Sequence, residues 1–270
     1  MDGWGAVAPI LFPTVAIFSG LAVGSFLNVV IMRGSAGRSL GGRSCCDACG
    51  KMLAVCELIP LVSFVMQKGR CRSCGAALSW QYPIVEAATA FVFFAIAVWM
   101  VVQVRSEGYT PGSLGVFYFA LFPIAAALIV LVVSDIRFQI LPDGATAVLF
   151  LAGLARSMLA GTLPYDAVSA SIVAGFFGAL WFFSRGRWMG FGDVKLAFAA
   201  SFLIGFPASF AALLFSFWLG GLWGGALLLW RKKGLKSRIA FGPFIIAGAG
   251  LAALFWRQFF SLTGFWAILS

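Results

Sequence analysis

Histidine is absent from the 270-residue chain. Its absence excludes Ser-His-Asp and Cys-His catalysis, the usual proton shuttle near neutral pH, and every His-containing metal site. Charge is scarce as well: charged residues make up 10% of the sequence, where a soluble domain carries about 25%. The acids are few enough to name: Asp2, Asp47, Glu57, Glu86, Glu107, Asp135, Asp143, Asp166 and Asp193. Acid–base chemistry must come from these 9 carboxylates, or from Lys, Tyr and Cys. No basic residue precedes the first apolar run in MDGWGAV, so that run reads as a retained helix rather than a secretory signal.

What fills the chain is apolar: 62% of its residues are hydrophobic, and the mean hydropathy is +1.01. Runs of about 20 such residues cross a bilayer core as helices. Candidate helices lie near 9–32, 83–103, 114–134, 144–160, 166–184, 193–207, 209–230 and 239–260. The pattern predicts an all-α polytopic membrane protein with about eight transmembrane helices, the sixth and seventh separated only by Gly205-Phe206-Pro207. Net charge is +10. With the N-terminus outside, the loop 33–82 carries Arg33, Arg38, Arg43, Lys51, Lys68, Arg70 and Arg72 to the inner side. Arg137, Arg185, Arg187, Lys195, Arg231, Lys232, Lys233, Lys236 and Arg238 join them there, and only Arg105, Arg156 and Arg257 fall outside. Such an excess of Lys and Arg in cytoplasmic loops sets topology, so it argues for no nucleic-acid partner.

That loop contains Cys46-x2-Cys49 and Cys71-x2-Cys74, each pair followed by glycine. The spacing suits a zinc ribbon, in which two tight turns aim four thiolates at one ion and leave no position for water. Such a site is structural. Arg70, Arg72 and Lys51 are placed to help hold the thiolates charged. Two disulfides are the alternative, disfavoured in a reducing cytoplasmic loop. Cys45 competes with Cys46 as a ligand, because Cys45-x3-Cys49 is also an allowed spacing, and lone Cys56 reads as a buried thiol. The chain thus divides into a first transmembrane helix (1–32), a four-cysteine domain (33–82) and a membrane-embedded remainder (83–270).

Two acids then arrive at the same membrane face. Asp135, in SDIRFQILPD, ends the third helix, and Asp193, in GFGDVKL, begins the sixth. Asp143 has an ordinary role near a helix start, where acids meet free N–H groups. Asp135 has no such excuse at a helix C-terminal end, where the dipole is unfavourable. Gly190 and Gly192 beside Asp193 allow positive φ and close approach of another segment. Ionisable groups at membrane depth are functional candidates, so Asp135 and Asp193 are read as partners. Two carboxylates held together share one proton; the ionised one activates water while the protonated one polarises a peptide carbonyl. Structural ion pairs also place acids at such positions, and a non-enzymatic transporter or scaffold with a zinc ribbon is the rival reading.

In order along the chain, GSFLNVVIMR (24–33), the two CxxC pairs, IPLVSF, GRCRSCG, YPIVE, DIRFQILPD and GFGDVKL resemble the motifs of type IV prepilin peptidases. This chain departs in having Gly34-Ser35 after Arg33, Asp47-Ala48 between Cys46 and Cys49, and Ser134 before the first aspartate. The resemblance implies a bifunctional enzyme of the bacterial inner membrane. It implies removal of the basic leader of type IV prepilins or type II secretion pseudopilins at the cytoplasmic face. It further implies N-methylation of the new terminus from S-adenosylmethionine; a peptidase without methyl transfer is the alternative. By motif, Asp135 and Asp193 are the protease dyad, Gly190 and Gly192 shape the loop presenting Asp193, and Cys46, Cys49, Cys71 and Cys74 bind metal.

Overall fold

A computed structural model of the chain describes residues 3–107, 120–229 and 240–262. Asp2, residues 114–119 of the third expected span, and the basic residues Arg231, Lys232, Lys233, Lys236 and Arg238 lie outside the described residues. The described elements are helical: α1 (Gly3–Ser35), α2 (Val62–Met66), α3 (Gln81–Glu107), α4 (Leu121–Phe138), α5 (Asp143–Ala160), α6 (Leu163–Ser184), α7 (Phe191–Ile204), α8 (Ala208–Leu229) and α9 (Gly242–Leu262). All but α2 correspond to the expected spans. Six of these helices, α1, α3, α4, α5, α6 and α8, are long and apolar enough to cross a membrane. The 14-residue α7 extends only about 21 Å, short of a bilayer core of about 30 Å. It ends at Ile204, before the expected 207, because the chain leaves the helix at Gly205, with φ +86°.

The chain forms two compact units, residues 1–130 and 131–270. In the first, α1 packs along α3. The spacing Gly20-x3-Gly24 makes that contact close: a Cβ on Gly20 would stand 2.7 Å from the Ala90 Cα, and one on Gly24 2.8 Å from the Glu86 Cα. Helices in lipid associate through such small residues and through hydrogen bonds rather than by excluding water. Buried Asn28 supplies the hydrogen bonds, donating to the carbonyls of Gly24 and Tyr82 while Gln81 donates to its Oδ1. Ala16, Phe93, Ala97 and Ala125 form the apolar core, joined by a Phe93–Phe122 ring contact at 4.8 Å.

The segment between α1 and α3 is pinned by charge. Arg33 donates to the carbonyls of Leu40, Gly41, Gly42 and Arg43. Glu57 accepts the N–H of Ala54, and buried Glu86 accepts that of Leu61, both at 2.8 Å. The segment is thereby held through backbone carbonyls and N–H groups that would otherwise lack protein partners.

In the second unit α7 is central, packing against α5, α6, α8 and α9. Leu196, Ala197, Ala199, Ala200, Ser201 and Phe202 are all buried. A helix apolar on every side belongs inside a bundle, and its small residues admit close neighbours. At Gly153 of α5, for example, a Cβ would lie 2.5 Å from the Leu203 N. Several large apolar side chains of α6 and α8, such as Phe183 and Leu222, face outward, as helices surrounded by lipid require.

Candidate active site and candidate metal centre

Asp135 and Asp193 line one cavity of about 370 Å³ in the second unit, together with Gln139–Leu141, Gly186–Gly192, Lys195, Ala240 and Phe241. Both side chains are buried, at 5% and 7% exposure. Asp135 sits in the last turn of α4, which ends as Gln139 takes a left-handed conformation, φ +53°. Its Oδ2 accepts the N–H of Gly242, the first residue of α9, at 2.9 Å. Asp193 occupies the first turn of α7, and its Oδ2 reaches back to the Gly190 N–H at 3.1 Å. Each carboxylate spends one oxygen on a backbone donor, and the other makes no protein hydrogen bond among the described residues. The charge of Asp135 acts directly on Asp193. Two acids so placed can share a proton and have room beside them for water and a peptide.

Of the two uses expected of the GFGD glycines, positive φ and close approach, only the second is seen, and at Gly192. Neither uses positive φ: Gly190 is extended at φ −79°, ψ 157°, and Gly192 is helical. What Gly192 provides is space, since a Cβ there would meet Leu141 at 3.2 Å. Asp143 does not cap α5 with its side chain. Pro142 is the capping residue, and the exposed Asp143 carboxylate pairs with Lys195 of α7. That pair gives Lys195 a partner at the cavity rim, and exposed pairs contribute no more than about 1 kcal/mol.

In the first unit Cys46, Cys49, Cys71 and Cys74 bring their Sγ atoms within 4.8 Å of one another. The two turns are built alike. Gly50 donates to the Cys46 carbonyl and Gly75 to that of Cys71, with φ +72° and +71° that glycine supplies without strain. Cys46 and Cys71 in turn donate their own N–H groups to the carbonyls of Lys51 and Ala76. Cys45 is exposed on the flank and outside the cluster, so Cys46 is the residue the turn aims inward. Cys56 is exposed, contrary to the expectation of a buried thiol.

The donor set fits zinc. Tetrahedral Zn–S bonds of about 2.3 Å place the sulfurs about 3.8 Å apart, and Cys46 Sγ lies 3.9 Å from Cys74 Sγ. Backbone N–H groups of Cys74 and Ser73 lower the Cys71 thiol from 9.0 to about 6, so peptide dipoles do the work expected of Arg70 and Arg72. At Cys74 the Ala76 N–H pulls downward, but burial and the neighbouring thiols Cys49, Cys71 and Cys46 push it up to about 11. Four thiols this close resist joint ionisation, and a bound divalent cation removes that conflict.

Sequence reasoning missed two features. Gly242, in AFGPF, lay inside the expected last span and drew no reading; a glycine preceding proline at an apolar run was the available signal. Asp166, 1% exposed, is the hub of a network at the end of α5 and start of α6. Arg156, Ser157 and Thr162 donate to its Oδ2 at 2.5, 2.7 and 2.6 Å, and the Phe206 N–H donates to its Oδ1 at 2.7 Å. An acid and an arginine ten residues apart, flanking a turn, were the signal there.

Comparison with known proteins covers both units. The family model described as Bacterial Peptidase A24 N-terminal domain matches residues 18–100, and that of the Type IV leader peptidase family matches residues 122–225. The chain is 33% identical to a prepilin leader peptidase/N-methyltransferase of Aeromonas salmonicida (strain A449), over 91% of this chain and 90% of that protein. It is 32% identical to the protein of the same name from Bacillus subtilis (strain 168), over 90% and 94%. A third, from Myxococcus xanthus (strain DK1622), is 33% identical over 81% of this chain and 64% of its own length. No solved structure matches the chain.

Proposed function

The chain belongs to the type IV leader peptidase family, and from that membership we propose that it cuts the basic leader of type IV prepilins or type II secretion pseudopilins with Asp135 and Asp193. The single observation that supports the residue assignment is the common cavity lined by both buried carboxylates. A non-enzymatic transporter has no support once the family is known.

The chemistry follows from one proton held by two acids. The ionised carboxylate takes a proton from water as the water oxygen adds to the scissile carbonyl carbon. The protonated partner hydrogen-bonds the carbonyl oxygen and stabilises its developing charge. Collapse of the tetrahedral adduct breaks the C–N bond, the proton passes to the leaving amine, and the pair returns with one proton. No imidazole is needed, which suits a chain without histidine.

The rest of the reading concerns placement. The bias of Lys and Arg toward alternate loops supports an inner-membrane enzyme with its N-terminus periplasmic and its site at the cytoplasmic face. Residues 1–32 are the first span, 33–82 a zinc-binding domain held by Cys46, Cys49, Cys71 and Cys74, and 83–270 the peptidase. Zinc there is structural and takes no part in hydrolysis. N-methylation of the new terminus, with S-adenosylmethionine as methyl donor, is the second activity, in keeping with the names of the relatives. Co-expression with a prepilin in a host lacking its own leader peptidase tests both. Mass measurement should find the leader removed and one methyl added; a retained leader refutes the peptidase reading, and an unmethylated mature terminus refutes only the second activity.

A further inference from the structure

α9 begins at the candidate active site. Phe241 lines the cavity of Asp135 and Asp193, and the Gly242 N–H donates to Asp135 Oδ2 at 2.9 Å across 107 residues of sequence. No side chain fits at that point. A Cβ on Gly242 would lie 2.7 Å from Asp135 Oδ2, and 3.3 Å from both Asp135 Cγ and Leu141 Cδ2. The next residue, Pro243, has no N–H to offer, so Gly242 supplies the first donor of this helix end.

We propose that Gly242 is a positioning residue of the peptidase. Its N–H fixes the Asp135 carboxylate in the cavity it shares with Asp193, and its lack of a side chain lets α9 come that close. The proposal rests on the assignment of these two acids as the dyad. The electrostatics give the contact its purpose. Asp135 stands at the C-terminal end of α4, where the helix dipole opposes a carboxylate, and the N-terminal end of α9 supplies the compensating field. Glycines that serve packing alone meet inert groups, as Gly153 meets the backbone of Leu203; Gly242 meets the reactive carboxylate. The other charged or titratable side chains lining the cavity are Asp193 and Lys195 of α7 and Arg187 of the preceding turn. None is altered in the variants below.

The test is steady-state cleavage of a prepilin by the full-length enzyme in detergent, comparing wild type, Gly242→Ala and Gly250→Ala. Gly250 lies on the same helix with nothing within 4 Å of an added Cβ. Gly242→Ala should lose roughly ten- to a hundredfold in kcat at unchanged KM, the scale of a small misplacement of a reacting group. The acid limb of its pH profile should move to higher pH, because the added Cβ displaces the charged carboxylate from the backbone N–H that it accepts. Gly250→Ala should match wild type. Wild-type kcat and acid limb in Gly242→Ala overturn the proposal. So does recovery by Leu141→Ala in that background, which relieves the 3.3 Å contact and leaves the 2.7 Å one. If Gly242→Ala fails to fold, the double variant carries the same expectation, and failure of both makes the contact structural and refutes the proposal. A wild-type enzyme that leaves prepilin uncut refutes the dyad itself, an outcome separate from an active Gly242→Ala.

Discussion

At the scale of single residues, scarcity of charge made the site readable. With nine acids and no histidine, few side chains were available for proton transfer, and Asp135 stood out for lacking a capping role. What single positions hid was their tertiary surroundings. Gly192 was legible as a place of close approach, but not that the neighbour it clears is Leu141. Gly242 gave no local reason to be tied to a residue 107 positions away. Ser134, immediately before Asp135, is fully buried with no partner for its Oγ among the described residues. An unpaired buried hydroxyl costs about 1 kcal/mol or more. Ser134→Ala should therefore raise the thermal midpoint of the purified protein, by an amount corresponding to roughly 1 kcal/mol; a lowered midpoint would show that the hydroxyl has a partner.

Elements carry the next set of consequences. The paired turns of the four-cysteine segment were legible from spacing, because CxxC followed by glycine specifies the backbone that closes each turn. Which of Cys45 and Cys46 points inward was not, since that depends on the turn once folded. Purified protein should contain about one zinc per chain, and Cys71→Ser or Cys74→Ser should lose it. Because thiolate ligands must give up their protons to bind metal, metal should be retained at neutral pH and released on acidification. Metal content that is flat down to pH 4 would contradict this. The end of α5 and start of α6 were not legible as a network. Asp166 drew no reading of its own from the sequence, yet it gathers Arg156, Ser157, Thr162 and the Phe206 N–H. Asp166→Ala leaves the Arg156 guanidinium without its carboxylate and should destabilise the fold by roughly 3–5 kcal/mol, read as a lowered midpoint in detergent; an unchanged midpoint would remove the network from the account of stability.

For the whole molecule, hydropathy revealed the class and the order of helices, because lipid demands long apolar runs whose backbone is satisfied internally. It did not reveal that α7 is enclosed, since an apolar run bounded by Gly205 reads the same whether it spans lipid or fills a bundle. That enclosed helix delivers Asp193 to the end of α4. The family assignment then joins the molecule to a reaction, and the joint is the pair of acids. The most direct measurement of that claim is prepilin cleavage by wild type, Asp135→Asn and Asp193→Asn, each checked for intact helical content and followed by mass spectrometry of the product. Each amide keeps the shape of its carboxylate and removes its proton chemistry, so each variant should lose at least about a hundredfold in rate while remaining folded. Cleavage at the wild-type rate by either folded variant would contradict the shared-proton mechanism.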